Sequence, residues 1–395
     1  MKRRSNPFVF SQVAVNENFC GRSEELNKII YRIETGQNSL VHGLRRFGKT
    51  SLIQSAFTAI SKNGFLPVYV DLNSIMTADD FAQAFYASAS AAMRSAGGFS
   101  IENTAKELRD YFRKVTFDIT LSSSGEASFK PVLANSSTRS FDEYLEDTMI
   151  GLNEYSKHHD VRVVVALDEF QEIAQVTDCR IDAKLREFLQ RSDNEVCFIF
   201  SGSKRHMLNE LFHNDSAALY KIAVGLEIKA IDEADFFKFV ADKMNAEITP
   251  EIFHLIYHDI AQGESKLIQQ VCHQLYMNVM FNPEIKTIEH SHVSEAINEI
   301  LDADEALYSM LEKKHSPSHR LALQHIARCG GINLFTEANL KASEMSKPTL
   351  QSALKQLIKS TEKQIQIVDI EDNRYFIPDR SFELYLRRKV LGQLV

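Results

Sequence analysis

The chain has 395 residues, 44% of them hydrophobic and 25% charged, with a formal net charge of −8. That length suits two to three domains of about 150 residues, and the balance of apolar to charged residues excludes a disordered chain. The basic opening Met1-Lys2-Arg3-Arg4 is followed by no apolar stretch and no apolar run approaches the roughly 18 residues of a membrane span, so a soluble, cytoplasmic protein is expected.

Between residues 40 and 230 short apolar runs alternate with helix-like stretches, the pattern of a parallel sheet covered by helices. The expected strands are Ser39 to His42, Leu66 to Asp71, Val161 to Leu167, Val196 to Ser201 and Leu226 to Lys229. Most are rich in Val, Ile or Phe, as buried parallel strands are. The connection from Asp71 to Val161 is longer than one crossover helix needs. It holds a helical stretch from Phe81 to Met93, then an alternation of Val115, Phe117, Ile119 and Leu121 before Ser122-Ser123-Ser124-Gly125. That predicts a hairpin inserted at about residues 114–140.

After Ile231 the apolar spacing turns helical, in Phe236, Phe237, Val240 and Met244 and again in Leu267, Ile268, Val271 and Leu275. The tail predicts a helix from Leu321 to Cys329, a break at Gly330-Gly331, a short helix near Thr336, and a longer one with Ser346 as N-cap and Pro348 in its first turn. Two strand-like pieces follow, Gln364 to Ile370 and Arg374 to Ile377, across Glu371-Asp372-Asn373. Three helices and a hairpin make the layout of a winged helix. Charge divides in the same place: residues 231–315 carry a net −10 and residues 316–395 a net +4. The expected domains are an α/β core with a parallel sheet flanked by helices over 1–230, a helical domain over 231–315 and a winged helix over 316–395.

The strongest motif is Gly43-Leu44-Arg45-Arg46-Phe47-Gly48-Lys49-Thr50, which fits G-x-x-x-x-G-K-[ST] between an expected strand and an expected helix. Its glycines let backbone N–H groups face phosphate oxygens, and the helix opening at Lys49 adds the positive end of its dipole. Lys49 is expected on the β and γ oxygens of ATP and Thr50 on Mg²⁺, with Gly43, Arg45, Arg46, Phe47, Gly48 and Ser51 completing the phosphate loop. The strand Val163 to Leu167 ends in Asp168-Glu169. Asp168 suits a water-mediated Mg²⁺ contact, and Glu169 suits polarising the attacking water. A further strand end, Phe198 to Ser203, offers Ser201 and Ser203 as reporters of the γ-phosphate, or a plain turn.

Together with Phe19-Cys20-Gly21-Arg22-Ser23-Glu24-Glu25-Leu26, the loop, the Asp168-Glu169 strand end, the Phe200-Ser201-Gly202-Ser203 strand end and the terminal winged helix resemble the archaeal-type ATPase family. These are P-loop ATPases close to the AAA+ and STAND groups. The resemblance implies a P-loop NTPase fold followed by a helical lid and a winged helix, with ATP and Mg²⁺ as cofactors. It also implies an adenine pocket lined by Gly21 and Arg22, with Glu24 bracing that loop. Two segments depart from the family pattern: Leu219-Tyr220-Lys221-Ile222 lacks the Gly-Arg that relatives often have there, and Gly263-Glu264-Ser265-Lys266 lacks the Gly-x-Pro of a lid helix. Lys266 and Arg205 remain as candidate cations.

Other chemistry is thinner. The five cysteines are odd in number and include no C-x-x-C pair, so neither a disulfide framework nor a cysteine zinc site is expected, and Cys197 reads as a core residue. His254 and His258 have helical i, i+4 spacing, but no Glu follows the first, so the local sequence holds no complete ligand set. Lys347, Gln351, Lys355 and Lys359 line the third tail helix, and Arg374, Arg380, Arg387, Arg388 and Lys389 follow. The expected function is an ATP-hydrolysing conformational switch with a protein client. The alternative is an ATP-modulated DNA-binding protein that uses its winged helix.

Overall fold

The computed structural model describes residues 6–97, 111, 116–121, 127–132, 141–191, 195–358, 367–371, 373–392 and 394. The chain forms two compact units, one of Val15–Leu44 and Gly48–Lys229, the other of Met1–Ala14, Arg45–Phe47 and Ala230–Val395.

The first unit runs α1 (Ser23–Glu34), β1 (Ser39–His42), α2 (Lys49–Ile60), β2 (Phe65–Asp71), α3 (Ala78–Gly97), β3 (Thr116–Leu121), β4 (Ala127–Val132), α4 (Phe141–His159), β5 (Arg162–Asp168), α5 (Ile181–Leu189), β6 (Val196–Gly202), α6 (Arg205–Phe212) and β7 (Val224–Glu227). Five strands make one parallel sheet in the order β2-β5-β6-β1-β7. The inner strands β5 and β6 are buried along nearly their whole length. Their unbroken Val, Ile and Phe runs suit strands covered on both faces. Helix α2 buries Leu52, Ile53, Ala56, Phe57 and Ile60, a helical stripe toward the core. The register pairs Asp71 with Asp168 and His42 with Gly202. The carboxyl ends of β1, β2, β5 and β6 therefore reach one edge of the sheet, where open α/β sheets bind ligands.

One difference from the sequence reading has a physical cause. Strand β7 lies two residues earlier than expected, because it is an edge strand with only Leu226 buried and so carries little apolar pattern. The expected hairpin is present as β3 and β4, antiparallel from Thr116 opposite Val132 to Leu121 opposite Ala127. Its expected turn, Ser122 to Gly125, lies outside the described residues.

The second unit contains α7 (Glu233–Lys243), α8 (Pro250–His254), a π-helical turn (Leu255–Ile260), α9 (Ser265–Phe281), α10 (His290–Ala303), α11 (Glu305–Lys313), α12 (Pro317–Cys329), α13 (Glu337–Ser343), α14 (Lys347–Ile358), β8 (Asp369–Glu371), β9 (Arg374–Phe376) and α15 (Arg380–Leu391). Helix α12 starts four residues before the expected Leu321, where Ser316 Oγ accepts from His319 N. The cap is legible, but the polar first turn hid it. Ser346 caps α14 by accepting from Thr349 N at 3.3 Å. Strands β8 and β9 pair antiparallel, and the first three residues of the expected first strand, 364–366, lie outside the described residues.

Helices α12, α13 and α14 followed by this hairpin have the winged-helix order, with α15 added. At the break between α12 and α13, Gly330 O accepts from Arg374 Nε and Gly331 O from Tyr375 N, both at 3.0 Å. A Cβ on Gly331 would lie 1.7 Å from Tyr375 O, and its φ is +80°, so only glycine fits this close approach. The acidic and basic segments of this unit meet through Arg388 with Asp302 at 2.7 Å and Lys389 with Glu312 at 2.6 Å. Arg380, 5% exposed, donates to Ile260 O and Asp259 O and pairs with Glu383. Among the described residues no helix is long and apolar enough to cross a membrane.

Candidate nucleotide-binding site

The loop after β1 delivers Lys49 and Thr50 to the start of α2, with Gly48 at its N-cap. Gly48 brings no capping side chain to that end, and the positive end of a twelve-residue helix dipole lies at the loop, as in an anion site. Lys49 is 6% exposed, and its ammonium donates to Gly43 O at 3.0 Å and Leu44 O at 2.9 Å. Thr50 Oγ1 donates to Asp168 Oδ2 at 2.8 Å, which brings together the two residues expected on Mg²⁺. A hydroxyl and a carboxylate are hard oxygen donors, the chemistry that magnesium takes, so the residues fit the ion.

Asp168 has two more donors. Tyr69 Oη donates to the same Oδ2 at 2.6 Å, and Glu169 N donates to Oδ1 at 3.0 Å. Burial first, and then the Asp168 charge, push the Tyr69 phenol far above its ordinary range, so it stays a donor. Sequence reasoning missed Tyr69, which lies 99 residues from Asp168. The parallel pairing of β2 with β5 brings the two together.

Glu169 follows β5 with φ +52°, a left-handed conformation that a non-glycine residue adopts at a cost of about 1–3 kcal/mol. What holds it there is the next residue: Phe170 is fully buried, its ring 4.7 Å from Phe200 and 5.6 Å from Phe212. Such pairs add about 0.5–1.5 kcal/mol beyond burial. The Glu169 carboxylate is then oriented from the side. Gln171, fully buried, donates its amide to Glu169 Oε2, and Ser203 Oγ donates to the same oxygen at 3.2 Å. Gln171 Oε1 in turn accepts from Ser203 N at 3.3 Å. A Cβ on Gly202 would meet Gln171 Oε1 at 2.1 Å, so this bridge requires glycine at the end of β6. Ser201 is fully buried, and its hydroxyl has no hydrogen-bond partner among the described residues. Gln171 carries no motif, and no sequence signal marked it.

Arg22, 2% exposed, donates to Lys229 O at 2.6 Å and pairs with Glu25 at 3.2 Å. Glu25, not Glu24, therefore braces the Gly21–Arg22 segment. Glu24 pairs instead with Lys28 on the exposed side of α1. The reason is helical phase, since residue i+3 faces back over the cap and i+2 does not. Arg205 pairs with Glu227 at 2.7 Å. Cys197 is a core residue whose thiol burial pushes up to about 12.

The loop tip Arg45–Phe47 groups with the second unit. There Arg46 NH1 and NH2 donate to Asp379 Oδ1 and Oδ2 at 2.7 and 2.8 Å, with Glu264 at 3.7 Å. Burial disfavours both charges of the fork. The paired hydrogen bonds outweigh it, raising the Arg46 pKa and lowering that of Asp379. Burial raises Glu264 to about 7 despite Arg46. Lys266 N donates to Arg46 O at 3.3 Å, and Arg45 is exposed.

A family profile described as an ATPase domain predominantly from Archaea matches residues 19–271. No curated protein matches the sequence significantly. Among solved structures the chain is similar to a Walker-type ATPase of Pyrococcus abyssi, with 16% identity and a TM-score of 0.60 over 96% of this chain and 99% of that one. It is also similar to the ORC2 protein of Aeropyrum pernix in its ADPNP–ADP complexes, with 14% identity and a TM-score of 0.52 over 95% of this chain and 97% of that one. At such identities these likenesses show the shared fold. The family profile spans more than half of the chain and covers the phosphate loop, the Asp168-Glu169 strand end and the Glu169–Gln171–Ser203 bridge, and the chain accordingly belongs to the family of ATPase domains found predominantly in Archaea.

Proposed function

We propose that this ATPase binds ATP with Mg²⁺ at the loop Gly43–Thr50 and hydrolyses it slowly, the cycle acting as a conformational switch on residues 231–395. The carrying observation is the continuous set of contacts from Thr50 to Asp168, and from Glu169 through Gln171 to Ser203. Lys49 and the N–H groups at the start of α2 take the phosphate charge, with Arg45, Arg46, Phe47, Gly48 and Ser51 around it. Thr50 and Asp168 would hold Mg²⁺, which would supply charge neutralisation at the phosphate. Glu169 accepts a proton from water as the water oxygen bonds to the γ-phosphorus. The bond to the β-phosphate oxygen breaks, and ADP and phosphate leave. Ser201 and Ser203 report the γ-phosphate, and Gly21 and Arg22 border the adenine.

The test is turnover and nucleotide binding in two variants. Lys49→Ala should lose nucleotide affinity, and Glu169→Gln should bind ATP normally while turnover falls by about 10² to 10⁴-fold. Wild-type turnover in Glu169→Gln would remove Glu169 from the chemistry.

The switch reading divides the chain into a core (1–230), a lid (231–315) and a winged helix (316–395). Its support is electrostatic. Arg388, Lys389 and Arg380 hold the basic tail to the acidic segment. Ion pairs at exposed positions give orientation and salt sensitivity more than strength. Limited proteolysis around residues 312–320 should therefore differ between ADP and a non-hydrolysable ATP analogue and change with salt. Identical cleavage in every condition would leave a static ATPase.

The DNA-binding reading rests on Lys347, Gln351 and Lys355, exposed along one face of α14. Against it, Arg374, Arg380, Arg388 and Lys389 are engaged within the protein. Duplex binding that weakens steeply with salt would favour it. A protein client fits the engaged tail better.

A further inference from the structure

The sequence places His254 and His258 one helical turn apart but supplies no third ligand beside them. The structure supplies one from the first turn of α7. Glu233 Oε1 lies 2.9 Å from His254 Nδ1, and Glu233 Oε2 lies 2.9 Å from His258 Nε2. One donor atom from each residue falls within 4.8 Å of the others, a separation that no other group of three His, Cys, Asp or Glu among the described residues matches. For bonds of about 2.0–2.1 Å to a tetrahedral ion, neighbouring donors stand roughly 3.4 Å apart. The three atoms are therefore gathered to within a rotamer adjustment of a ligand triangle.

Backbone geometry contributes to the gathering. His258 lies in the π-helical turn Leu255–Ile260, which follows directly on His254. Such a turn is a rare local widening of a helix that recurs at functional sites. The two imidazoles lie with ring centroids 4.3 Å apart. Beneath them Tyr257 packs 4.8 Å from the His258 ring and 6.1 Å from Phe253, and Tyr257 Oη donates to Ile231 O at 2.6 Å. The rings are thus backed by packed aromatic groups and a fixed hydroxyl.

The chemistry of the donors selects the ligand. Two imidazole nitrogens and one carboxylate oxygen suit zinc and its neighbours, whereas magnesium and calcium take oxygen alone. The histidine side chains are 60% and 48% exposed, which leaves an entry path and room for water at the remaining positions. At that exposure the hydrogen bonds alone stabilise little. We infer that Glu233, His254 and His258 bind one divalent transition-metal ion of the zinc class, joining the start of α7 to the α8–π segment.

The test uses the full chain saturated with ADP and Mg²⁺, so that the phosphate loop is occupied. Co²⁺ is titrated and its visible d–d absorption followed, then Zn²⁺ is added as competitor. Wild type should bind one Co²⁺ that Zn²⁺ displaces, and His290→Ala, outside the cluster, should behave the same. His254→Ala, His258→Ala and Glu233→Gln should each weaken binding at least about 100-fold while melting like wild type without metal. Absence of a one-to-one Co²⁺ complex in wild type, or an unchanged complex in the three variants, would overturn the assignment. Glu233→Gln, which keeps the size of the side chain, decides the matter should either alanine variant misfold.

Discussion

Gln171 holds Glu169 by its amide nitrogen and Ser203 by its amide oxygen, so one fully buried side chain ties the proposed catalytic carboxylate to the end of β6. Both ends of its amide are taken up by Glu169 and Ser203, so it acts as a positioning residue. Gln171→Ala should lower kcat about 10-fold or more and leave ATP affinity within about twofold, because orientation is lost and phosphate contacts are not. Single-turnover kinetics beside equilibrium nucleotide binding separates the two effects. Equal loss of both would show that Gln171 supports the site as a whole.

Tyr69→Phe removes one of three donors to Asp168. A hydrogen bond to a charged acceptor contributes about 1.5–3 kcal/mol, so the variant should unfold at lower denaturant by that order. With Thr50 as the remaining side-chain donor to Asp168 Oδ2, the variant should also change the Mg²⁺ concentration at which turnover is half-maximal. An unaltered magnesium profile would mean that Tyr69 only stabilises the fold.

Glu264 gives a pH signature. Its carboxyl is raised by burial from 4.5 to about 7 in the folded protein. A raised folded pKa means that the stabilising contribution is complete below about pH 4.5 and is lost as pH climbs through about 7, where the folded protein must ionise a buried acid. Glu264→Gln cannot ionise. Between pH 4.5 and 7.5 wild type should lose stability relative to this variant, on the order of 3 kcal/mol. Denaturant unfolding of both proteins across that window checks the sign, and a parallel pair of curves would refute the assignment.

Asp379 performs two tasks, capping α15 through Phe382 N and accepting both Arg46 nitrogens. Asparagine keeps the cap and loses the charge. Asp379→Asn should therefore cost about 1.5–3 kcal/mol from the fork, and Asp379→Ala about 1 kcal/mol more. Thermal melts of both, with Arg46→Ala as the third corner of the cycle, apportion the two.

What the sequence disclosed is what repeats along it. The Gly43–Thr50 loop, the Val163–Asp168 strand and the helical spacing after Ile231 each show a local period or a fixed motif. All three lie where expected. What it withheld depends on pairings between distant segments. Tyr69 reaches Asp168 through strand register, Gln171 reaches Ser203 across two strands, and Glu233 meets two histidines more than twenty residues later. Helix α15 was a different kind of miss. Asp379 three residues before Phe382 is a legible cap, but the basic residues that follow drew attention to charge instead of to the buried Phe382, Leu384, Tyr385 and Leu386 stripe.

The two carbonyls of Gly330 and Gly331, each bonded to strand β9, have a mechanical meaning. The hairpin is buttoned by main chain and by Arg374 to the start of the turn that leads into the next helices, so it cannot swing as a loose arm.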